Sequence, residues 1–231
     1  MTTASEPLFA WANGDSCGAS TRSLLSLTDA SRVLHIPAGR TIFRKGDAAN
    51  GCYLVLDGAL KVVFPAASGQ ETLLAILGKG DLVGEMALID GLPRSATVTA
   101  VRASVLRHIS ATIFDRLSRA DFELARQLLR VMATRLRQRN EAHALQQAPL
   151  RVRLARTLLH LGERFGEDLP DGRTLIRLKV SQADLGQMAG AARENVNRQL
   201  TEWRRDRLLS RISGYYCLND RETITRLGNA C

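Results

Sequence analysis

The sequence predicts an α+β fold, in which an antiparallel, jelly-roll-like β-roll is followed by one long helix and a winged helix-turn-helix. Three observations support this prediction. Turns centred on Gly recur at roughly ten-residue intervals between positions 35 and 109 and separate short apolar runs, as in antiparallel barrels and jelly rolls. Residues 111–148 contain neither Gly nor Pro. Beyond Pro149, two helical segments meet at a short turn and precede a strand pair.

The first half of the chain is predicted to contain an arm and the β-roll domain. Residues 1–20 are small, polar and without periodicity, so we expect a flexible arm. The β-roll domain is expected over 21–110. It is predicted to begin with a short helix over 21–33, and its strands come from apolar runs such as CYLVL, LKVVF and ATVTAV.

A long helix is predicted over 111–148, with a break near Arg119. One stripe of this helix follows the spacing 4, 3, 4, 3, 4, which is a heptad seam, and consists of Ala125, Leu129, Met132, Leu136, Arg139 and His143. A second apolar stripe consists of Leu124, Leu128 and Val131. We expect one stripe to pack on the β-roll and the other on a second copy, which predicts a homodimer. A single amphipathic helix with a wide apolar face is the alternative.

The last domain is expected over 149–231. A capping box at Ser181 and Asp184 marks the start of one helix, and Gly190 ends it. The patterns predict, in order, a helix over 151–165, a strand over 173–180, helices from 181 and over 192–207, and a hairpin over 209–218. This order is the outline of a winged helix-turn-helix.

Charge is distributed unevenly along the 231 residues, whose formal net charge is +9. Residues 1–115 carry 10 basic and 10 acidic side chains, whereas residues 116–231 carry 22 basic and 13 acidic ones. A basic second half suggests a polyanionic partner.

Several classes of protein are excluded by composition. A hydrophobic content of 45% and a charged content of 24% argue against global disorder. The chain has neither an 18-residue apolar run nor a start typical of a secretory signal. Its four cysteines lack C-x-x-C spacing, which argues against a zinc ribbon or a disulfide scaffold. We therefore expect a cytoplasmic protein without a metal or a membrane partner.

The segment GEMALIDGLPRSATV, residues 84–98, combines groups suited to a phosphate and a hydroxyl. A short helix over 86–89 would leave backbone N–H groups free to meet an anion. Arg94 can donate two hydrogen bonds to a phosphate, and Ser95 can donate to a third oxygen. Glu85 can accept from a sugar hydroxyl. A plain buried ion pair between Glu85 and Arg94 is the alternative.

This segment resembles the phosphate-binding cassette of cyclic-nucleotide-binding domains, G-E-x-[small]-[aliphatic]-x5-R-S-A-x-[aliphatic]. The resemblance extends over about residues 25–148. It implies a cyclic nucleotide as effector, with cassette contacts from Gly84, Glu85, Met86, Ala87, Arg94 and Ser95.

A second motif, at residues 181–209, places polar side chains on one face of its second helix and apolar ones on the other. The polar face consists of Arg193, Glu194, Asn197 and Arg198, and the apolar one of Val196, Leu200 and Trp203. Arg pairs with guanine O6 and N7, and Glu accepts from cytosine N4. Arginines suited to holding phosphates stand at 151, 153, 204, 205 and 211. An ordinary charged helix face is the alternative.

This motif resembles the helix-turn-helix of the cAMP receptor protein/FNR family of transcription regulators. The family's base-reading pattern R-E-x-x-x-R falls on Arg193, Glu194 and Arg198, a triplet that in the cAMP receptor branch reads TGTGA-type half-sites. The resemblance implies a homodimeric regulator, not an enzyme, that binds palindromic double-stranded DNA and contacts RNA polymerase. The DNA-binding residues are expected to be Ser181, Gln182, Arg193, Glu194, Asn197 and Arg198.

The long helix departs from the family pattern. The family's best-known member places Thr and Ser beside the adenine base, whereas alignment on residues 132–136 puts Arg139 and Asn140 there. Asn pairs well with adenine and Arg with guanine. We expect cAMP as the leading ligand, with cGMP and cyclic di-GMP as alternatives. A solvent-facing Arg139 and a ligand-independent regulator also stay open.

Other modes of sensing have weaker support. An iron–sulfur sensor needs an N-terminal cysteine group, but only Cys17 lies in that region. A haem-based gas sensor is the remaining alternative, although the histidines that could be axial ligands are scattered at 35, 108, 143 and 160. Cys52 and Cys217 lie in apolar runs and are predicted to be packed thiols.

Overall fold

The computed structural model describes residues 32–65, 71–120 and 122–230, with a few side chains of the long helices excepted. The predicted arm at 1–20 and most of the predicted helix at 21–33 lie outside the described residues. Arg32 and Val33, at the end of that predicted helix, belong to a strand instead. The chain forms two compact units, Met1–Arg139 and Asn140–Cys231.

The first unit contains an antiparallel sheet that closes into the predicted β-roll. Its strands are β1 Arg32–Ile36, β2 Thr41–Phe43, β3 Gly51–Pro65, β4 Glu71–Gly78, β5 Leu82–Val83 and β6 Thr97–Ser110. Strand order is β1-β6-β3-β4, while β2 pairs with β6 and β5 with β3. The long strands β3 and β6 therefore form the centre of the roll.

Strand β3 is buried on both faces, because the interior of the roll lies on one side and helices cover the other. Tyr53 and Val55 pack inside the roll with Leu106. Cys52 and Leu54 point the opposite way, into a second apolar cluster. This alternation follows from the two-residue period of a strand. It explains why the CYLVL run is apolar throughout.

Three helices accompany the roll, namely α1 Met86–Ile89, α2 Ala111–Ala120 and α3 Phe122–Ala144. Helix α3 extends past the boundary at Arg139 into the second unit, where a 3₁₀ turn follows at Leu145–Gln147. Residue 121, close to the predicted break near Arg119, lies outside the described residues. Leu128 and Val131, from the second predicted stripe, are buried, and Leu128 packs against the roll. Leu129 and Leu136, from the heptad seam, are 69% and 63% exposed. The two stripes therefore have different environments in this unit.

The second unit combines a helix-turn-helix with a small sheet. Its elements are α4 Leu150–Phe165, β7 Gly166–Asp168, β8 Thr174–Ile176, α5 Gln182–Ala189, α6 Arg193–Arg205, β9 Leu209–Ile212, β10 Tyr215–Leu218 and α7 Arg221–Gly228. The sheet order is β7-β8-β10-β9. Helices α5 and α6 and the β9–β10 hairpin confirm the predicted winged helix-turn-helix.

Two details of the second unit differ from the prediction. The strand predicted over 173–180 is only three residues long, because Arg177 donates its N–H to the Phe165 carbonyl and the chain leaves the sheet. Leu178 and Val180 are buried without belonging to a strand, so their alternation reflects burial alone. Helix α7 was not predicted; Asp220 caps its start by accepting from the Thr223 N–H at 2.8 Å.

Helix α5 begins and ends as its sequence predicts. Ser181 is the N-cap and forms the full capping box with Asp184. Gly190 ends the helix at φ +61°, a left-handed conformation that favours glycine. None of the described helices is long and apolar enough to span a membrane.

Candidate functional site

Arg94 lies buried at the centre of the predicted cassette, with 3% of its surface exposed. Its Nη1 donates to the Gly84 carbonyl and its Nη2 to the Gly51 carbonyl, each at 2.6 Å. The guanidinium carbon lies 4.3 Å from the centroid of the Phe43 ring. Gly84 has φ +84°, and a Cβ there would lie 2.6 Å from Nη1. Glycine at this position is therefore required by the close approach of the arginine.

The positive charge of Arg94 is not neutralised by a carboxylate contact. Among the described residues, none of the ion pairs within 4.0 Å includes Arg94. Its Nε is buried and has no hydrogen-bond partner. Burial lowers the pKa of Arg94 from its ordinary value, because desolvation disfavours the charged form. An anion that reached this guanidinium would supply both the missing charge and the missing acceptor.

Glu85 forms an ion pair with Arg135 and not with Arg94. Its carboxylate is 1% exposed, and Oε1 accepts a hydrogen bond from Nη1 of Arg135 on α3. Nη2 of Arg135 donates to the Leu82 carbonyl at 2.6 Å. The plain Glu85–Arg94 ion pair is therefore not what the structure contains. Glu85 Oε2 is buried without a partner, so an acceptor remains available for a hydroxyl.

Arg135 is a site residue that the sequence analysis missed. It lies 50 positions from Glu85, and neither helical nor strand spacing connects residues so far apart. Its one signal is a charged side chain inside the apolar part of a long helix.

The remaining predicted cassette residues surround these two charged groups along the chain. Ser95 is exposed and its hydroxyl lies 3.9 Å from the Met86 sulfur, while Ala87 is buried on α1. The fold thus brings Gly84, Glu85 and Arg94 together at the β5–α1 connection. Asn140 is exposed near the end of α3, and the side chain of Arg139 lies outside the described part of the structure.

Two cysteines, Cys52 and Cys217, lie in the described part of the chain. Cys52 is fully buried, and burial raises the pKa of its thiol to about 12; Cys217 is buried as well. Both are packed thiols, as predicted. Within the residues the structure describes, no group of three or more His, Cys, Asp or Glu side chains could hold a metal ion.

The candidate DNA interface lies on helix α6, whose two faces divide as predicted. The apolar face is buried and consists of Val196, Leu200 and Trp203. The polar face is exposed and consists of Arg193, Glu194, Asn197 and Arg198. This division leaves guanidinium, carboxylate and amide groups facing solvent on a rigid support.

Hydrogen bonds orient four of the predicted DNA-binding side chains. Gln182 Nε2 donates to Asn197 Oδ1 at 2.9 Å, which links α5 to α6. Arg198 Nη2 donates to Asn195 Oδ1 at 2.9 Å. The Ser181 hydroxyl is engaged in the capping box and donates to Asp184 Oδ2 at 2.7 Å.

Arg153 does not have the free guanidinium that phosphate binding was expected to use. Its Nε and Nη2 donate to Ala189 and Gly190, at 2.7 and 3.2 Å, where α5 ends. Its Nη1 donates to the carbonyls of Gln146 and Ala148. Carbonyls at a helix end carry partial negative charge, so this arginine satisfies backbone acceptors of its own domain.

Comparisons with known proteins agree with both halves of this architecture. Residues 33–121 match the cyclic nucleotide-binding domain family, and residues 152–227 match the Crp-like helix-turn-helix domain family. A CRP-like cAMP-activated global transcriptional regulator of Mycobacterium tuberculosis is 33% identical over 192 residues, which cover 80% of this chain and 83% of the relative. A Cyclic AMP receptor protein of Thermus thermophilus is 34% identical over 177 residues, or 76% and 78% of the two chains.

The fold is also that of solved regulators. FixK2 from Bradyrhizobium japonicum superimposes with a TM-score of 0.74 at 21% identity, over 87% of this chain and 98% of that one. The buried Arg94 of the cassette and the exposed polar face of α6 are consistent with the two family matches. The chain belongs to the CRP/FNR family of DNA-binding transcription regulators, which are not enzymes, and it carries that family's cyclic nucleotide-binding domain and Crp-like helix-turn-helix.

Proposed function

We propose that the protein is a homodimeric transcription regulator whose binding to palindromic DNA is controlled by a cyclic nucleotide, with cAMP as the leading ligand. The observation that carries the proposal is the buried guanidinium of Arg94, which has no carboxylate partner and an unpaired Nε. An uncompensated buried charge costs several kcal/mol. The negative charge of a cyclic phosphodiester would offset that cost and accept from Nε.

The neighbouring groups favour a nucleotide over simple phosphate. Glu85 Oε2 is a buried acceptor without a donor, and a ribose hydroxyl is such a donor. The exposed hydroxyl of Ser95 would donate to a phosphate oxygen. Gly84, Met86 and Ala87 complete the proposed cassette by lining the ligand along β5 and α1.

The choice among nucleotides rests on the long helix and on the relatives. Asn140 would pair with adenine and Arg139 with guanine. The relatives from Mycobacterium tuberculosis and Thermus thermophilus are named for cAMP activation and cyclic AMP reception. These names support cAMP as the leading ligand of the proposal. The presence of Arg139 keeps cGMP and cyclic di-GMP as alternatives.

The exposed seam of helix α3 supports the proposed homodimer. Phe122, Leu129 and Leu136 are 82%, 69% and 63% exposed and recur every seven residues. Exposed apolar side chains at seven-residue intervals on a 23-residue helix are the pattern by which two helices associate in a coiled coil. In the proposed dimer, two recognition helices would contact half-sites about one DNA turn, roughly 34 Å, apart.

The proposed control is a shift between two populations of the dimer. A ligand bound at Glu85 would alter the carboxylate that Arg135 of α3 also contacts. Occupancy would then favour one packing of α3 and, through it, one spacing of the recognition helices.

On DNA, Arg193, Glu194 and Arg198 are proposed to contact bases of a TGTGA-like half-site. Ser181, Gln182 and Asn197 are proposed to contribute further contacts at the same surface. Such a regulator would act in the cytoplasm and contact RNA polymerase bound beside its site.

The test is calorimetry of the purified protein with cAMP, cGMP and cyclic di-GMP. We expect one of them to bind the wild type, and Arg94→Leu to lower its affinity at least about 30-fold, since truncating one partner of a buried charge pair costs 2–5 kcal/mol. Because Arg94→Leu also leaves the Gly51 and Gly84 carbonyls unpaired, Arg94→Lys provides a second variant. It keeps the charge but lacks the Nε donor and the planar fork proposed to contact the phosphate, so its affinity should fall as well. Arg44→Leu is the matched control, because Arg44 is exposed and directly follows Phe43, whose ring contacts Arg94.

Three results would contradict the proposal. Unchanged affinity of Arg94→Leu for the bound nucleotide would remove the assigned site. A Soret band in protein purified from haem-replete cells would favour a haem-based gas sensor. Equal DNA affinity with and without every nucleotide would indicate a ligand-independent regulator.

A further inference from the structure

An amide pair joins the two helices of the helix-turn-helix at its exposed surface. Gln182 is the first residue of α5, and Asn197 lies in the middle of α6. The Gln182 Nε2 group donates to Asn197 Oδ1 at 2.9 Å, although the residues are 15 positions apart. This contact restrains the rotation of the Asn197 amide, which would otherwise be free on an exposed helix face.

The contact also determines which hydrogen-bonding groups Asn197 has left. An amide oxygen has two lone pairs and an amide nitrogen has two N–H donors. Gln182 occupies one lone pair of Oδ1, and Nδ2 has no partner within the described residues. The Asn197 side chain therefore keeps one lone pair of Oδ1 and both N–H groups of Nδ2, which is enough for one acceptor and one adjacent donor on the same edge.

One acceptor beside one donor is the complement of adenine in the major groove. Adenine presents N6–H₂ as donor and N7 as acceptor, and Asn or Gln contacts both. Guanine presents two acceptors and cytosine one donor, so neither satisfies both groups of a restrained amide. Thymine presents only the O4 acceptor beside its methyl group, so a restrained Asn amide favours adenine, and the direction of the Gln182 hydrogen bond sets on which side its acceptor and donor lie.

The position of Asn197 on α6 makes such a contact geometrically compatible with the expected base contacts. It lies four residues after Arg193 and directly before Arg198, and all three side chains are exposed on one face. The family pattern R-E-x-x-x-R leaves this position unassigned, as its last x.

We propose that Asn197 reads an adenine in each half-site, and that Gln182 is the positioning residue that holds its amide in the adenine-reading orientation. This inference rests on the proposed function, because reading a base presupposes a specific DNA site. It adds one specified base pair to those contacted by Arg193, Glu194 and Arg198.

The experiment begins with the site that the wild-type protein selects from random duplexes in the presence of cAMP. Each base pair of one half-site is then varied, and binding is measured for wild type, Asn197→Ala and Gln199→Ala. Gln199 is a matched amide on α6 that bonds Glu202 instead, at 3.0 Å. We expect wild type to prefer A·T at one position by about 5- to 150-fold, Asn197→Ala to lose that preference alone, and Gln199→Ala to keep it.

Gln182 is tested at the same position. Gln182→Ala should reduce the A·T preference without changing the others. In Gln182→Glu the carboxylate can only accept, so the Asn197 amide should turn over to donate to it. This exchanges the positions of its acceptor and donor relative to adenine N6 and N7, and the preference for adenine should fall. A merely structural role for Gln182 would instead weaken all sequences equally and lower the melting temperature.

The outcomes separate this inference from the proposed function. If Asn197→Ala keeps every preference, loses all of them equally, or loses one at a pair other than A·T, the adenine assignment is wrong while the regulator remains. If wild type selects no site at all, whether without nucleotide or with cAMP, cGMP or cyclic di-GMP, both the inference and the proposed function are overturned.

Discussion

Nη1 of Arg135 on helix α3 donates to Oε1 of the Glu85 carboxylate, whose Oε2 is buried without a hydrogen-bond partner. Nη2 of Arg135 donates to the Leu82 carbonyl on β5. One arginine therefore ties the long helix to β5 and to the start of α1. Under the proposed mechanism, a change in the Glu85 carboxylate on ligand binding would reach the helix that carries the proposed dimer seam through this ion pair.

We predict that Arg135→Ala destabilises the first unit by about 3 kcal/mol at pH 7, because it leaves the buried Glu85 carboxylate without its charged partner. The double variant Glu85→Gln/Arg135→Met should be less destabilised than the Arg135→Ala single variant, since no unpaired charge remains. Urea unfolding of the single and double variants measures both quantities. A double variant no more stable than Arg135→Ala would mean that the loss does not come from an unpaired Glu85 charge.

The exposed seam predicts the effect of a charge on oligomeric state. Leu136→Glu should shift the protein from dimer to monomer, because two carboxylates would oppose each other across the seam. Analytical ultracentrifugation measures the change. Thr134→Glu, exposed on a different face of α3, is the control and should stay dimeric. A dimeric Leu136→Glu would place the interface elsewhere.

The recognition helix predicts a sequence-dependent loss. Arg198→Ala should weaken binding to the palindromic site by about 1–3 kcal/mol and binding to random DNA much less, because a base contact is lost. Arg205→Ala, a highly exposed arginine at the end of α6, should weaken both equally and reduce the salt dependence. Binding titrations at several salt concentrations distinguish these cases. Equal losses for Arg198→Ala would make it a phosphate contact.

His160 predicts how the stability of the second unit depends on pH. Burial lowers the pKa of this imidazole to about 4, with the nearby Arg164 as a smaller cause. The unfolded chain, with a pKa of about 6.5, binds the proton first as pH falls. Stability should therefore decrease through the window from 6.5 to 4, by about 2 kcal/mol between pH 7 and pH 5.

The fluorescence of buried Trp203 reports unfolding of that unit. His160→Gln should remove most of the decrease in stability between pH 7 and pH 5. The exposed His143 provides the control substitution His143→Gln, which should keep the decrease. An unchanged slope in His160→Gln would assign it to other groups.

Local patterns predicted the elements that carry the site. The period of α6 separated Val196 from Arg193 and Asn197, and the Gly84–Arg94 spacing marked a cassette whose glycine proves to lie against the arginine. These features depend on residues close in sequence, where helix and turn geometry fixes the arrangement. Patterning is therefore informative about faces, caps and short motifs.

The long-range partners could not be predicted in this way. The Glu85–Arg135 ion pair and the capture of four carbonyls by Arg153 join segments that only the tertiary fold brings together. Because Arg153 is an arginine like its exposed sequence neighbour Arg151, its residue type does not reveal that its guanidinium is occupied by carbonyls. Charge and spacing therefore indicated a phosphate contact where packing produces a structural one.

The central claim is that a ligand held by Arg94 controls binding to DNA. Fluorescence anisotropy with the selected palindromic duplex tests it most directly, for wild type and Arg94→Lys, with and without cAMP. We predict that cAMP raises the affinity of wild type by about 5- to 150-fold and leaves that of Arg94→Lys nearly unchanged. Equal wild-type affinity in both conditions, or a full cAMP response in Arg94→Lys, would contradict the account.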